Sequence, residues 1–190
     1  EQEHKMNNIK LFPKLVIVIG VIFALTGIVA IGAGFYINWF VGDQLATQNI
    51  VTPGDATIPN TQVNSIPTAL SMAAIIQTHA GNRSNGLSYA EMGRFKAADG
   101  DPAGTSLALL DADGNPVPNS ARDLQLTAAG LVTSLSLSAM ALGASYGAIA
   151  LGFAFTILGV VIAGLGYALL GLVEPEVAER YGLKPLATSA

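Results

Sequence analysis

Few residues in this chain could do chemistry. Asp111, Asp113 and Asn115, in the run DADGNP, alternate oxygen-bearing side chains as the opening of a calcium loop does, and such ligands can wrap one hard cation. The remainder of such a loop is missing. Pro116 stands where a glycine makes the sharp turn, and Arg122 where a bidentate glutamate closes the site. The run is therefore read as a turn after the strand-like Ser106 to Leu110, with no metal assigned. His79 could serve as acid, base or ligand only with an orienting partner, and the sequence puts no second histidine or carboxylate beside it. His4 is the other histidine. The absence of cysteine excludes disulfides, thiolate nucleophiles, iron–sulfur clusters and cysteine-bearing zinc sites. Asn82, Arg83 and Ser84 form a glycosylation sequon, read here as a turn. No catalytic, cofactor-binding or metal-ligating residue is assigned, and the chain is read as not an enzyme.

The elements that would have to position any site are dominated by two uncharged runs, Leu15 to Gly42 and Leu124 to Val173, of 28 and 50 residues. A spanning helix needs roughly 20. Across the 190 residues only 12% are charged, about half the share of an ordinary soluble domain. The chain is thus expected to be an all-α membrane protein. Two transmembrane helices form a hairpin, the second extends outside the membrane, and a mostly irregular extracytoplasmic loop contains short helices. The divisions are a cytoplasmic tail at 1–14, a first span at 15–42, the loop at 43–119, an outer helical part at 120–145, a second span at 146–173 and a cytoplasmic tail at 174–190. A signal peptide is the competing reading of the first run, but its length exceeds the 7 to 15 residues of a signal core, so an uncleaved anchor is expected. No Asp, Glu, Lys, Arg or His lies within either run, which disfavours a pump, carrier or haem protein acting alone. A net charge of -4, dispersed along the chain, offers nothing to nucleic acid.

Small residues repeat within the spans. Gly20, Gly27 and Gly34 are seven apart, as are Gly152, Gly159 and Gly166, and Gly143 with Gly147 makes one GxxxG. A heptad spacing keeps residues on one seam, and in lipid small residues let backbones approach, so both glycine rows are helix-packing candidates. The sequence leaves open whether they pack on each other or on partners. A helix from Ala121 to Val173 would be roughly 80 Å long at 1.5 Å per residue, well beyond the hydrocarbon core. Ser120 and Asp123 are read as its capping box. Leu124, Leu131, Leu135 and Leu142 share a narrow face of its outer part and form the expected contact surface. The competing arrangement makes Leu124 to Ala144 a third span that turns back near Gly143 to Gly147.

The loop opens with TPGD and IPN, read as turn backbone, followed by a helix from Pro67 to Ala80 with Gly81 as its stop. Ser88 and Glu91 suggest a capping box on a second short helix. Only 15 of the 81 residues from Asp43 to Asp123 are Leu, Ile, Val or Phe, too few for an independent core, so order is expected from contact with another surface. After the second span, Pro175 opens a short acidic helix containing Glu174, Glu176 and Glu179, with Gly182 and Pro185 as stops.

Compartment follows from the basic residues. Lys5, Lys10 and Lys14 precede the first run, and Arg180 and Lys184 follow the second, whereas no Lys or Arg occurs from Asp43 to Gln62 and only Arg122 from Gly104 to Asp123. The excess marks both termini as cytoplasmic, with the loop outside. Phe35, Tyr36, Trp39 and Phe40 would form an aromatic belt at the outer end of the first span.

Three stretches together, LVIVIGVIFALTGIVAIGAGFY, GLSYAEMGRFKAADGDP and the long run from Ala121 to Leu170, resemble a family of small actinobacterial two-span membrane proteins. The family commonly carries the label "aromatic ring-opening dioxygenase, LigA-like". That label implies a non-haem iron enzyme, which needs two histidines and a carboxylate converging on one metal. His4 and His79 fall on opposite sides of the membrane in the topology above. The resemblance also implies a place in the bacterial plasma membrane and a role as an accessory subunit of the actinobacterial cytochrome bcc-aa3 respiratory supercomplex, with integral membrane subunits and lipid as partners; no cofactor is assigned. The expected function is therefore a non-catalytic accessory subunit contributing to assembly or stability. The alternative is a small extracytoplasmic sensor or ligand-binding membrane protein, motivated by the loop.

Overall fold

The computed structural model describes residues 2–104 and 107–173, with backbone alone for 2–10 and 173. It is all-helical. Helix α1 spans Gln2–Thr47, α2 Ile66–Arg83 and α3 Ser120–Val173, with a single 3₁₀ turn at Tyr89–Glu91. Isolated antiparallel bridges occur between α1 and α3 in sequence, but the described residues contain no strand. Leu11–Thr47 and Ser120–Leu172 are each long and apolar enough to cross a membrane. The acidic helix expected after Val173 lies outside the described residues.

The described residues divide into two compact units. One is built from α1 up to Ile37 and α3 from Ala144 onward, the other from Asn38–Gly143. In the first, helix contacts run in opposite order along the two elements: Gly20 meets Gly159 and Ala163, Gly27 meets Gly152 and Thr156, and Gly34 meets Ser145 and Ile149. The pair is antiparallel. Most other side chains here, among them Val21, Ile28, Val29, Leu151 and Ile157, point away from the partner helix and are exposed. An apolar exterior of this kind is stable in lipid and not in water.

The second unit has its own small core of Leu45, Val63, Ala69, Ala73, Leu135, Ala139 and Leu142, with Val41, Ile50, Ile66, Met72, Ile76 and Val132 against it. The expectation that the loop must find order on another surface is corrected in one respect. Segments on both sides of the counted stretch, from Val41 in α1 and from Val132 to Leu142 in α3, complete the core, and Ala69 and Ala73 on α2 are buried in it. The stretch from Gln48 to Asn64 closes on itself through the fully buried Thr52, whose Oγ1 donates to the Thr61 carbonyl (3.1 Å) and accepts from the Thr61 amide (3.0 Å).

Local signals explain the helix ends. Asn49 adopts a left-handed φ of 51° just past α1, a conformation asparagine tolerates, and the Gln62 Nε2 donates to the Ala46 carbonyl (3.2 Å), one of the groups a helix C-terminus leaves open. Pro67 lies in the first turn of α2, where its missing N–H costs nothing. Gly81 does not stop this helix. A glycine inside a helix costs about 1 kcal/mol without breaking it, and α2 ends where Asn85 and Gly86 turn left-handed and the Gly86 amide donates back to the Gly81 carbonyl at 2.8 Å. At the start of α3 the cap is Asn119, not Ser120: its Oδ1 accepts from the Ala121 amide (3.2 Å), while its Nδ2 donates to the Gly93 carbonyl (3.1 Å). A residue with both donor and acceptor can cap and tether at once, which serine cannot do as fully. From there α3 runs unbroken through Gly143 and Gly147, without the turn that a third span would require.

Candidate functional site

With no metal-holding cluster of His, Cys, Asp or Glu among the described residues, the candidate surfaces are those where helices meet or remain bare. The six glycines at heptad spacing form one of them. A Cβ on Gly20 would stand 2.7 Å from the Gly159 carbonyl oxygen, one on Gly34 2.8 Å from the Ser145 carbonyl oxygen, and one on Gly166 2.8 Å from the Ile17 nitrogen. No real side chain tolerates backbone at that distance, so glycine here is a condition of helix contact. The two rows face each other. Thr156 sits in the same seam and turns its hydroxyl onto the Gly152 carbonyl (2.8 Å), which satisfies it without a cross-helix bond. By contrast Gly32, Gly143, Gly147 and Gly164 have open space where a Cβ would go, so the GxxxG takes no part in this contact.

The outer contact face of α3 is only partly the expected one. Leu135 and Leu142 are buried in the second unit's core, but Leu131 is 50% exposed and Leu124 half-buried. The buried row is Ala128, Leu135, Ala139 and Leu142, with Val132 partly covered. Leu131 lies about 60° from Ala128 at 100° per residue, at the edge of the row. Reading the face from leucines alone missed the alanines, whose 3–4 spacing with Val132 and Leu135 was the available signal. The hydroxyls of Thr127, Ser134 and Ser138 donate to carbonyls four residues back in α3, so these three hold their own helix and no neighbour.

His79 does have a carboxylate beside it. Its Nε2 is 2.7 Å from Asp55 Oδ2, contrary to the sequence reading, because the turn at Thr52 to Thr61 folds back along α2 and its Ile58 amide bonds Ser71 Oγ (2.9 Å). Sequence separation of 24 residues hid the pair. The hydrogen bond from His79 holds the Asp55 carboxyl below its ordinary range, and both side chains are open to solvent. Next to His79, a hollow of about 160 Å³ between α2 and α3 is lined by Ile76, His79, Ala80, Arg83, Leu124, Thr127, Ala128 and Leu131.

The sequon lies at a helix end and not in an open turn. Ser84 is buried, its Oγ donates to the Leu87 carbonyl (2.7 Å) and accepts from Gln125 Nε2 (2.8 Å). This bond across α2 and α3 was not visible in the sequence, where the two residues are 41 apart. The Ser88 and Glu91 box is present on a single 3₁₀ turn, with Glu91 Oε2 accepting from the Ser88 amide (2.8 Å) and Oγ (2.7 Å), bonds that lower the Glu91 pKa. In DADGNP, Asp111 Oδ1 accepts from the Asp113 and Asn115 amides (3.0 and 2.8 Å), closing a turn between the bridged Leu110 and Pro116. Arg122 stacks its guanidinium 3.8 Å over the Tyr89 ring. Among the described residues no three His, Cys, Asp or Glu side chains converge to hold a metal ion.

Compared with protein-family profiles, curated proteins and solved structures, the chain finds no match.

Proposed function

We propose that the chain is a non-catalytic accessory subunit of a bacterial membrane complex, contributing to its assembly or stability through helix packing and loop contacts. The respiratory cytochrome bcc-aa3 supercomplex is the complex to which the sequence resemblance points. The observation that carries the reading is bare apolar surface on α3 within the second unit. Leu126, Leu137 and Met140 are 57, 64 and 71% exposed, and with Gly130 and Thr133 they recur at the 3–4 spacing of a helix-packing stripe. Nothing crowds Gly130. In water such a stripe favours burial by about 25 cal/mol per Å² of apolar surface, which a partner helix would supply.

The proposed arrangement is a two-helix hairpin in the plasma membrane, with both termini cytoplasmic and Asn38–Gly143 outside. It rests on the basic residues of the tails and on the two apolar helices. Here α3 extends past the hydrocarbon core and presents its stripe to the aqueous side.

Solubilising native membranes in a mild detergent, followed by size fractionation, tests the reading. The chain is expected to migrate with a larger assembly whose haem absorbance co-purifies. Recovery solely as a lone stable monomer would overturn it.

A further inference from the structure

The hollow between α2 and α3 has a chemistry that subunit docking does not use. Its walls are Ile76, Leu124 and Leu131, and its floor is Ala80 and Ala128, both buried and both too small to fill it. Thr127 adds no free donor, because its hydroxyl is bonded to the Asp123 carbonyl at 3.0 Å. The polar groups are therefore Arg83 and His79. Arg83 is exposed in the last turn of α2, and its guanidinium has no ion pair or hydrogen bond among the described residues. His79 is already engaged, its Nε2 paired at 2.7 Å with Asp55 Oδ2, which accepts the bond and offsets any charge on the ring. One open cation at the rim of an apolar hollow favours a ligand that is apolar along its length and anionic at one end, since an Arg fork matches a carboxylate in a bidentate pair.

Size narrows the class. A hollow of about 160 Å³ is roughly five water volumes at about 30 Å³ each and falls below the 300 to 1,000 Å³ of drug-sized sites. It accommodates a segment of one alkyl chain and is too small to enclose a sterol, a ring-bearing quinone head or a two-chain lipid. We infer that this hollow binds a single-chain anionic amphiphile, a fatty acid, with its carboxylate on Arg83 and its first methylenes over Leu124, Ala128 and Leu131. The inference does not rest on the subunit reading.

The test uses the full chain in nanodiscs of zwitterionic phosphatidylcholine and a decanoic acid carrying a photoactivatable diazirine, with labelled peptides mapped by mass spectrometry. Label is expected on the peptides holding Ile76 to Arg83 and Leu124 to Leu131. Arg83→Gln should lower it at least fivefold and Arg83→Lys should retain most of it. The matching decyl alcohol should label at least fivefold less than the acid. Because the Arg83 head group bonds nothing among the described residues, an unchanged far-UV spectrum is expected for both variants. Equal labelling by acid and alcohol, labelling indifferent to Arg83→Gln, or label confined to the apolar stretches 15–37 and 146–173 would each overturn the inference.

Discussion

Gly27 and Gly152 each exclude a side chain from the other: a Cβ on Gly27 would lie 2.5 Å from the Gly152 carbonyl oxygen, and a Cβ on Gly152 would lie 2.7 Å from the Gly27 carbonyl oxygen. The contact is reciprocal and made by backbone, which cannot move aside as a flexible side chain can. Gly27→Ala or Gly152→Ala should therefore force the helices apart, at a cost of about 1–3 kcal/mol typical of overpacking. Gly32→Ala and Gly164→Ala, where the space is open, should be neutral or stabilise by up to about 1 kcal/mol through helix propensity. Denaturant titration in micelles, followed by circular dichroism, compares the four, and equal effects would refute the seam.

The buried row on α3 makes a second contrast. Leu135→Ala and Leu142→Ala each empty a fully covered site and should destabilise the second unit by about 2–5 kcal/mol. Leu131→Ala, half exposed at the edge of the row, should cost less than about 1 kcal/mol. Amide exchange along α2, which packs on this row, reports the difference.

Gln125 and Ser84 form a polar tie between helices. Gln125→Ala leaves the buried Ser84 hydroxyl without its donor and should cost about 1–3 kcal/mol. Adding Ser84→Ala should cost less than the sum of the two single changes, the signature of a direct pair in a double-mutant cycle. Strict additivity would show that the bond contributes nothing.

The contact between Asp55 and His79 is pH-dependent. Asp55 is depressed by the hydrogen bond from His79, so its contribution is present in full above the unfolded carboxylate value and is lost as pH falls through the lower folded one. The turn at Thr52 to Thr61 should consequently loosen from α2 only below about pH 4. Carboxyl carbon shifts of Asp55 should titrate below the ordinary range in the native chain, and higher in His79→Ala. Identical titrations in the two would remove His79 as the cause.

What could be read from the sequence was whatever depends on local order. Uncharged length fixes two helices able to cross a membrane, because hydrocarbon tolerates neither charge nor unpaired backbone. Heptad glycines can be seen without coordinates, since a period of seven keeps residues on one helix side wherever the partner lies. Ser88 with Glu91, three residues apart, is likewise visible because the cap closes within one turn. The tertiary structure alone decided which surface each side faces. It set the glycine rows against each other, replaced Leu131 by Ala128 and Ala139 in the packed row, and joined Asp55 to His79 and Ser84 to Gln125. Each of those pairings spans tens of residues, and its geometry depends on how a turn folds back on a helix. Close packing in the small core made the last choice. Alanine, the commonest residue of the chain but passed over in a count of large apolar side chains, is the residue that lets α2 and α3 approach, and the hollow beside Ala80 and Ala128 is where that approach leaves room.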